Sequence, residues 1–126
     1  MLGSVALADN DESIRSAETA AHSWLELADQ GGFENTWLQA SSLFRAAVTQ
    51  AEWERALAAA RGPLEELVSR NLASAEFYLT LPGAPDGEYV VLTFDSVFTK
   101  KAAAVETVTV MKDADGSWRV SGYFIR

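Results

Sequence analysis

The segment Thr49-Gln50-Ala51-Glu52-Trp53-Glu54-Arg55-Ala56-Leu57-Ala58-Ala59-Ala60-Arg61-Gly62-Pro63-Leu64 divides the chain into two regimes. Its opening fits a capping box, in which the Thr49 hydroxyl accepts an N–H three residues on and Glu52 reaches back to the Thr49 amide. Val48 and Trp53 occupy the two positions of a hydrophobic staple, and Trp53, Ala56, Leu57 and Ala60 continue an apolar stripe at helical spacing. Gly62 is read as the turning residue and Pro63 as a residue that cannot extend the helix, so the pattern predicts a helix over 49–61. Before Gly62-Pro63 the apolar period is helical, and after it the period is two. Helices followed by strands predict an α+β fold in which helices cover one face of an antiparallel sheet.

Toward the N-terminus, Phe33 and Trp37 open a short helical segment through Leu38 and Ala40, which Ser41-Ser42 breaks or re-caps before Leu43-Phe44. Ile14, Ala17, Ala21, Trp24, Leu25 and Ala28 form a longer stripe. Acidic residues at Asp9-Asn10-Asp11-Glu12 suit its N-terminus and Gly31-Gly32 its end, giving a helix from about 11 to 30. Three helices are therefore expected. Residues 1–8 are small and apolar, and Ala6-Leu7-Ala8 has the A-x-A form of a signal-peptidase site, which predicts the tail of an export signal. The remainder, 9–126, is expected to be one domain in a periplasmic or secreted protein.

Toward the C-terminus, Leu67 to Leu81 reads as a strand with a bend or bulge near Ala73-Ser74-Ala75. The turn formers Pro82 to Gly87 lead to a strand over Glu88–Thr99, with Val90, Leu92, Phe94 and Phe98 on one face and Tyr89, Val91 and Val97 on the other. Lys100 to Ala102 turns the chain, and Ala104–Lys112 forms the third strand. Asp113-Ala114-Asp115-Gly116 is a hairpin loop, and Trp118–Ile125 closes a four-stranded meander with Trp118, Val120 and Phe124 on one face. Apolar residues on both faces point to a homodimer through the sheet face not covered by helices.

Composition narrows the function classes. The 126 residues are 48% hydrophobic and long enough for one packed core. Ten basic against eighteen acidic residues give a net charge of −8, which argues against nucleic-acid partners because phosphates need a basic footprint. Lys100-Lys101, the one basic doublet, is read as blunting a strand end. There is no cysteine and one histidine, and no metal-ligand spacing, phosphate loop or Ser-His-Asp set, so neither metal nor cofactor is expected. No run is long enough to span a bilayer.

A wider set of words is similar to one bacterial family: Trp24-Leu25, Asp29, Trp37, Ala40-Ser41, Phe44, Trp53, Arg61-Gly62-Pro63-Leu64, Arg70, Leu81-Pro82-Gly83, Pro85 to Tyr89, Glu106-Thr107-Val108 and Trp118 to Phe124. They resemble the domain of unknown function numbered 4019, from Ala21 onward. The element order resembles the nuclear transport factor 2-like, cystatin-like cone shared by ketosteroid isomerase and scytalone dehydratase. The resemblance implies a small exported bacterial protein with three helices packed on a curled four-stranded sheet, and it implies no particular activity.

The candidate site residues follow from position. His22 lies on the first helix with Glu18 and Glu26 one turn either side, and Asp29 lies seven residues further on almost the same face. Either would serve as the base of a small isomerase or dehydratase; as structural residues, His22 is held by surface carboxylates and Asp29 by turn amides. Arg70 and Glu106 stand inside strand patterns. Facing inward they form a buried ion pair or anchor an anionic ligand, and facing outward a cross-strand pair. Asp95, Tyr78 and Tyr123 are further polar groups within reach of a pocket. Trp24 and Trp37 are expected to line an apolar pocket between the first helix and the sheet. The leading expectation is a non-catalytic binding or accessory module; the alternatives are the small enzyme and a purely structural interaction module.

Overall fold

The computed structural model describes the backbone of residues 2–126 and the side chains of residues 10–126. The A-x-A site at residues 6–8 lies outside the described side chains. Four α-helices precede the sheet: α1 (Leu2–Asp29), α2 (Phe33–Leu38), α3 (Ser42–Ala47) and α4 (Gln50–Arg61). Four strands follow, β1 (Leu67–Tyr78), β2 (Tyr89–Phe98), β3 (Lys101–Lys112) and β4 (Trp118–Ile125), all antiparallel and in the order β1-β2-β3-β4.

Helix α1 corrects the expected start near residue 11, because the backbone is already helical through Asp9 to Glu12. Those residues favour a helix N-terminus, but without Pro or Gly nothing in them prevents the helix from passing through. Its end is as expected. Gly31 takes φ +79, and the amides of Gly31 and Gly32 donate to the carbonyls of Ala28 and Leu27, which closes the last turn.

The expected three helices become four because Ser41 re-caps the chain: its hydroxyl accepts from the Phe44 amide and starts α3. The capping box at Thr49 forms with both of its bonds. Beyond α4, Gly62 keeps right-handed helical angles (φ −53, ψ −50) and opens a 3₁₀ turn over Gly62–Leu64. The reversal falls instead on Glu65, at φ 61 and ψ −138. Pro63 has no amide and a fixed φ, which suits the first turn of a 3₁₀ segment and displaces the break toward the strand.

Register and burial put Arg70, Leu72, Ala75 and Phe77 of β1 on the inner face, with Val90, Leu92, Phe94, Ser96 and Phe98 of β2 and Ala104, Glu106, Val108 and Val110 of β3. Ala17, Ala21, Trp24, Leu25 and Ala28 of α1 and Trp53 and Leu57 of α4 cover that face and complete the core. Full burial of a Leu or Phe side chain stabilises the fold by about 1.5–3 kcal/mol relative to exposure. Strand β4 departs from simple alternation. An irregularity between Val120 and Gly122 shifts the register, so Val120 and Tyr123 both face the core while Phe124 is 56% exposed. The expected grouping of Phe124 with Trp118 and Val120 is corrected by that extra residue, which moves every later side chain to the opposite face. The expected bulge in β1 is present, between Leu72 and Ser74. Strand β3 begins at Lys101, three residues before expected, so the turn is confined to Thr99-Lys100.

Thr36 fastens the helical layer. Its carbonyl accepts from the Trp24 indole and its hydroxyl from the Trp53 indole, so one fully buried residue of α2 ties α1 to α4. Trp37 donates to the Val48 carbonyl ahead of α4.

Candidate functional site

The last residue of α1, Asp29, places a carboxylate at a helix C-terminus, where the helix dipole disfavours it. Two guanidinium groups compensate. Arg61, the last residue of α4, donates from Nη2 to Asp29 Oδ1 at 2.8 Å, and Arg70 of β1 donates from Nη1 to Oδ2 at 2.8 Å and from Nη2 to Oδ1 at 3.0 Å. Arg70 continues to Glu106 of β3, with Nε to Oε1 at 2.7 Å and Nη2 to Oε2 at 3.1 Å. Ser96 of β2 donates to Glu106 Oε1 at 2.6 Å, and the Tyr123 hydroxyl of β4 donates to Oε2. Thus α1, α4 and all four strands each give one side chain to one chain of contacts.

Two cations and two anions make the network neutral, which a buried position requires because unpaired charge is costly away from water. Glu106 is fully buried, and the Arg61 and Arg70 side chains are 5% and 9% exposed. Burial alone would raise the Asp29 pKa. The hydrogen bonds and charges of Arg70 and Arg61 outweigh it and hold the carboxyl below the usual aspartate range. Burial would likewise favour a neutral Arg70, but Asp29 and Glu106 together push its pKa up and keep it charged. Burial and then the Glu106 carboxylate raise the Tyr123 pKa, so the phenol stays protonated and donates. Arg61 Nε and Nη1 have no hydrogen-bond partner among the described residues. The guanidinium lies over the Phe98 ring, 4.8 Å from its centroid, where the π face attracts the cation.

Arg70 and Glu106 therefore face inward as the buried ion pair that the strand pattern allowed, and Asp29 joins them through Arg70 rather than serving turn amides. His22 stands apart. Its side chain is 51% exposed, 3.4 Å from Glu18 and edge-on to Phe94, with ring centroids 5.3 Å apart. Asp95 is exposed on the outer sheet face, and Tyr78 donates to Glu76 there. The described residues contain no cluster of three His, Cys, Asp or Glu placed to hold a metal ion.

Arg61 and Ser96 were not singled out from the sequence as members of a site. Both carried a signal: Trp53, Leu57 and Arg61 are spaced by four on the buried stripe of α4, and Ser96 lies between Phe94 and Phe98 at the strand period of two.

A second feature lies between α1 and the start of β4. Ala20, Ser23, Trp24, Leu27, Gln39, Trp118, Arg119 and Val120 line an open groove of about 400 Å³. Trp24 forms part of its wall; Trp37 is bound to Val48 and is not among its lining residues. Near the groove, the Asp113 carboxylate accepts from the amide and hydroxyl of Ser42 at 2.9 and 2.6 Å, joining the β3–β4 hairpin to α3. Those bonds and the Ala114 amide lower the Asp113 pKa to about 2.

The profile of a family described as "Protein of unknown function (DUF4019)" matches residues 20–123, which include every member of the network. The chain belongs to that family. All six network residues, the groove and the Ser42–Asp113 tie lie within the DUF4019 match. No curated protein sequence matches the chain.

Proposed function

We propose that this DUF4019 chain is a non-catalytic binding module, exported to the periplasm or beyond and built as a nuclear transport factor 2-like cone, with its ligand groove between α1 and β4. The cone reading draws support from the sequential antiparallel meander, its bulged strands and the helices on one face. The export reading draws support from Ala6-Leu7-Ala8 and from the family resemblance. Among the described residues no helix is long and apolar enough to cross a membrane.

One observation carries the binding reading. The carboxylates inside the fold have their oxygens occupied by guanidinium and hydroxyl donors, while the groove presents Trp118, Leu27 and the edge of Trp24 beside Ser23, Gln39 and Arg119. A general base needs a free lone pair near a substrate and a pKa near the working pH. Asp29 is held as a carboxylate below the usual range, and His22 lies at the surface beside Glu18, which weighs against an isomerase or dehydratase built on either. An apolar wall with a few polar groups at its rim suits a small planar, largely apolar ligand.

The test is a titration of the purified chain with 1-anilinonaphthalene-8-sulfonate, followed by probe fluorescence. Saturable binding is expected in the wild type and its loss in Ser23→Trp, which fills the groove from an exposed position of α1 and leaves the unfolding midpoint nearly unchanged. Absence of saturable binding, or binding unaltered by Ser23→Trp, would overturn the groove assignment.

A further inference from the structure

The two edges of the sheet are finished differently. At the β4 edge the Ser41 amide donates to the Val120 carbonyl at 2.8 Å, the Ser41 hydroxyl donates to that of Ser121, and α3 packs alongside. At the β1 edge, among the described residues, no amide or carbonyl of Leu67–Tyr78 bonds to anything outside the β1–β2 ladder. An unpaired edge is a template for another strand, and proteins commonly guard it with Lys, Pro, inward charge or bulges. Strand β1 has no Lys or Pro over its 12 residues, and its guards are the inward Arg70 and two irregularities, between Leu67 and Ser69 and between Leu72 and Ser74. Its Arg70 is committed to Asp29 and Glu106, and its Glu76 accepts from Tyr78. Of six large exposed hydrophobic residues among the described ones, Val68, Leu72, Tyr78 and Leu79 lie on this strand or directly after it.

We propose that β1 pairs antiparallel with β1 of a second copy, about a two-fold axis between Leu72 and Ala73, to form a continuous eight-stranded sheet. The strand is self-complementary about that point. Arg70 meets the partner's Ala75, both on the inner face; Asn71 meets the partner's Ser74 and Ser69 meets the partner's Glu76, all on the outer face. The irregularity between Leu67 and Ser69 ends this face-matched stretch at Ser69, and Val68 and Tyr78 stand exposed just beyond it. In an unbroken strand this axis would pair residues of opposite faces, because the partners differ by an odd number of positions. The bulge between Leu72 and Ser74 reverses the alternation at the axis and brings like faces together. Glu76 then lies opposite a serine rather than a carboxylate, so a chain of net charge −8 can approach its own copy here without opposing like charges. A two-fold contact of this kind closes on itself and stops at two copies. This edge is a different surface from the outer sheet face through which a homodimer was expected.

Sedimentation equilibrium of the full chain should show twice the monomer mass, and Val68→Lys combined with Tyr78→Lys, both at exposed positions, should weaken the dimer by about tenfold or more while far-UV circular dichroism is retained. The chain has no cysteine, so Asn71→Cys and Ser74→Cys variants, mixed and oxidised, should give a heterodimeric disulfide in preference to either homodimer. A monomer at every concentration would overturn the proposal. So would a dimer insensitive to the two lysines, or one joined through Thr107→Cys on the outer face in place of positions 71 and 74.

Discussion

Two clusters of the same chemistry, carboxylates bound by arginine and hydroxyl groups, occur at different depths. Asp29, Arg61, Arg70, Glu106, Ser96 and Tyr123 meet under the helices, whereas Asp113, Asp115, Arg119 and Ser42 meet at the hairpin surface, where Asp115 is 56% exposed. In the first, removing Arg70 strands Glu106, which is fully buried, although Asp29 keeps 19% of its side chain exposed. In the second, Asp115 lies open to solvent while the Asp113 side chain is 9% exposed, so solvent replaces part of what is removed. Depth, rather than the number of ion pairs, sets what each cluster contributes, since buried pairs are strongly coupled and exposed ones contribute about 0–1 kcal/mol.

The largest expected effect is at Arg70. Arg70→Met removes the cation shared by Asp29 and Glu106 and should cost about 3–5 kcal/mol in urea unfolding. A loss below about 1 kcal/mol would place the buried cluster in the same class as the exposed one.

The inner half of this comparison was only partly readable from the sequence. The inward face of Glu106 follows from Ala104, Val108 and Val110 at the strand period, and the burial of Arg61 from its spacing to Leu57 and Trp53. Their meeting was not readable. Arg70 reaches Glu106 across the intervening strand β2, so the contact depends on two registers, and of their irregularities only the one near Ala73 was legible, while those after Leu67 and Ser96 were not. Phe124 shows the same limit: one extra residue after Val120 reverses its face. Local signals fared better, because the Thr49–Glu52 box and the Gly31 turn are decided within a few residues.

A smaller effect is expected at the surface. Ser42→Ala removes one hydroxyl bond to Asp113 and should cost about 0.5–1.5 kcal/mol. It should also change the acid limb of stability. The folded pKa of Asp113 is about 2 against an ordinary 3.8, so its contribution is complete above the unfolded value and is lost as pH falls from about 4 toward 2. Asp29, also lowered, loses its contribution in the same direction. Urea midpoints measured from pH 5 downward should therefore fall for the wild type and fall less steeply for Ser42→Ala; parallel slopes would remove Asp113 from the account.

The smallest effect is expected at His22. His22→Gln breaks one exposed contact with Glu18 and should leave thermal stability within about 0.5 kcal/mol of the wild type. A larger loss would give the edge contact with Phe94 a weight that its exposure does not suggest.

Thr36 gives the protein an optical gauge. Trp24 and Trp53 are both hydrogen-bonded to that one residue, Trp37 is bound to the next segment along, and Trp118 lies in the groove wall. Trp53 and Trp37 therefore register the seating of α2, Trp118 registers the groove, and Trp24, bound to Thr36 and set in the groove wall, registers both. A shift carried by Trp53 and Trp37 with Trp118 unchanged would mark the helical layer loosening from the sheet, and the reverse would mark occupancy of the groove, so spectra of Trp118→Phe and Trp53→Phe variants beside the wild type distinguish folding events from binding events.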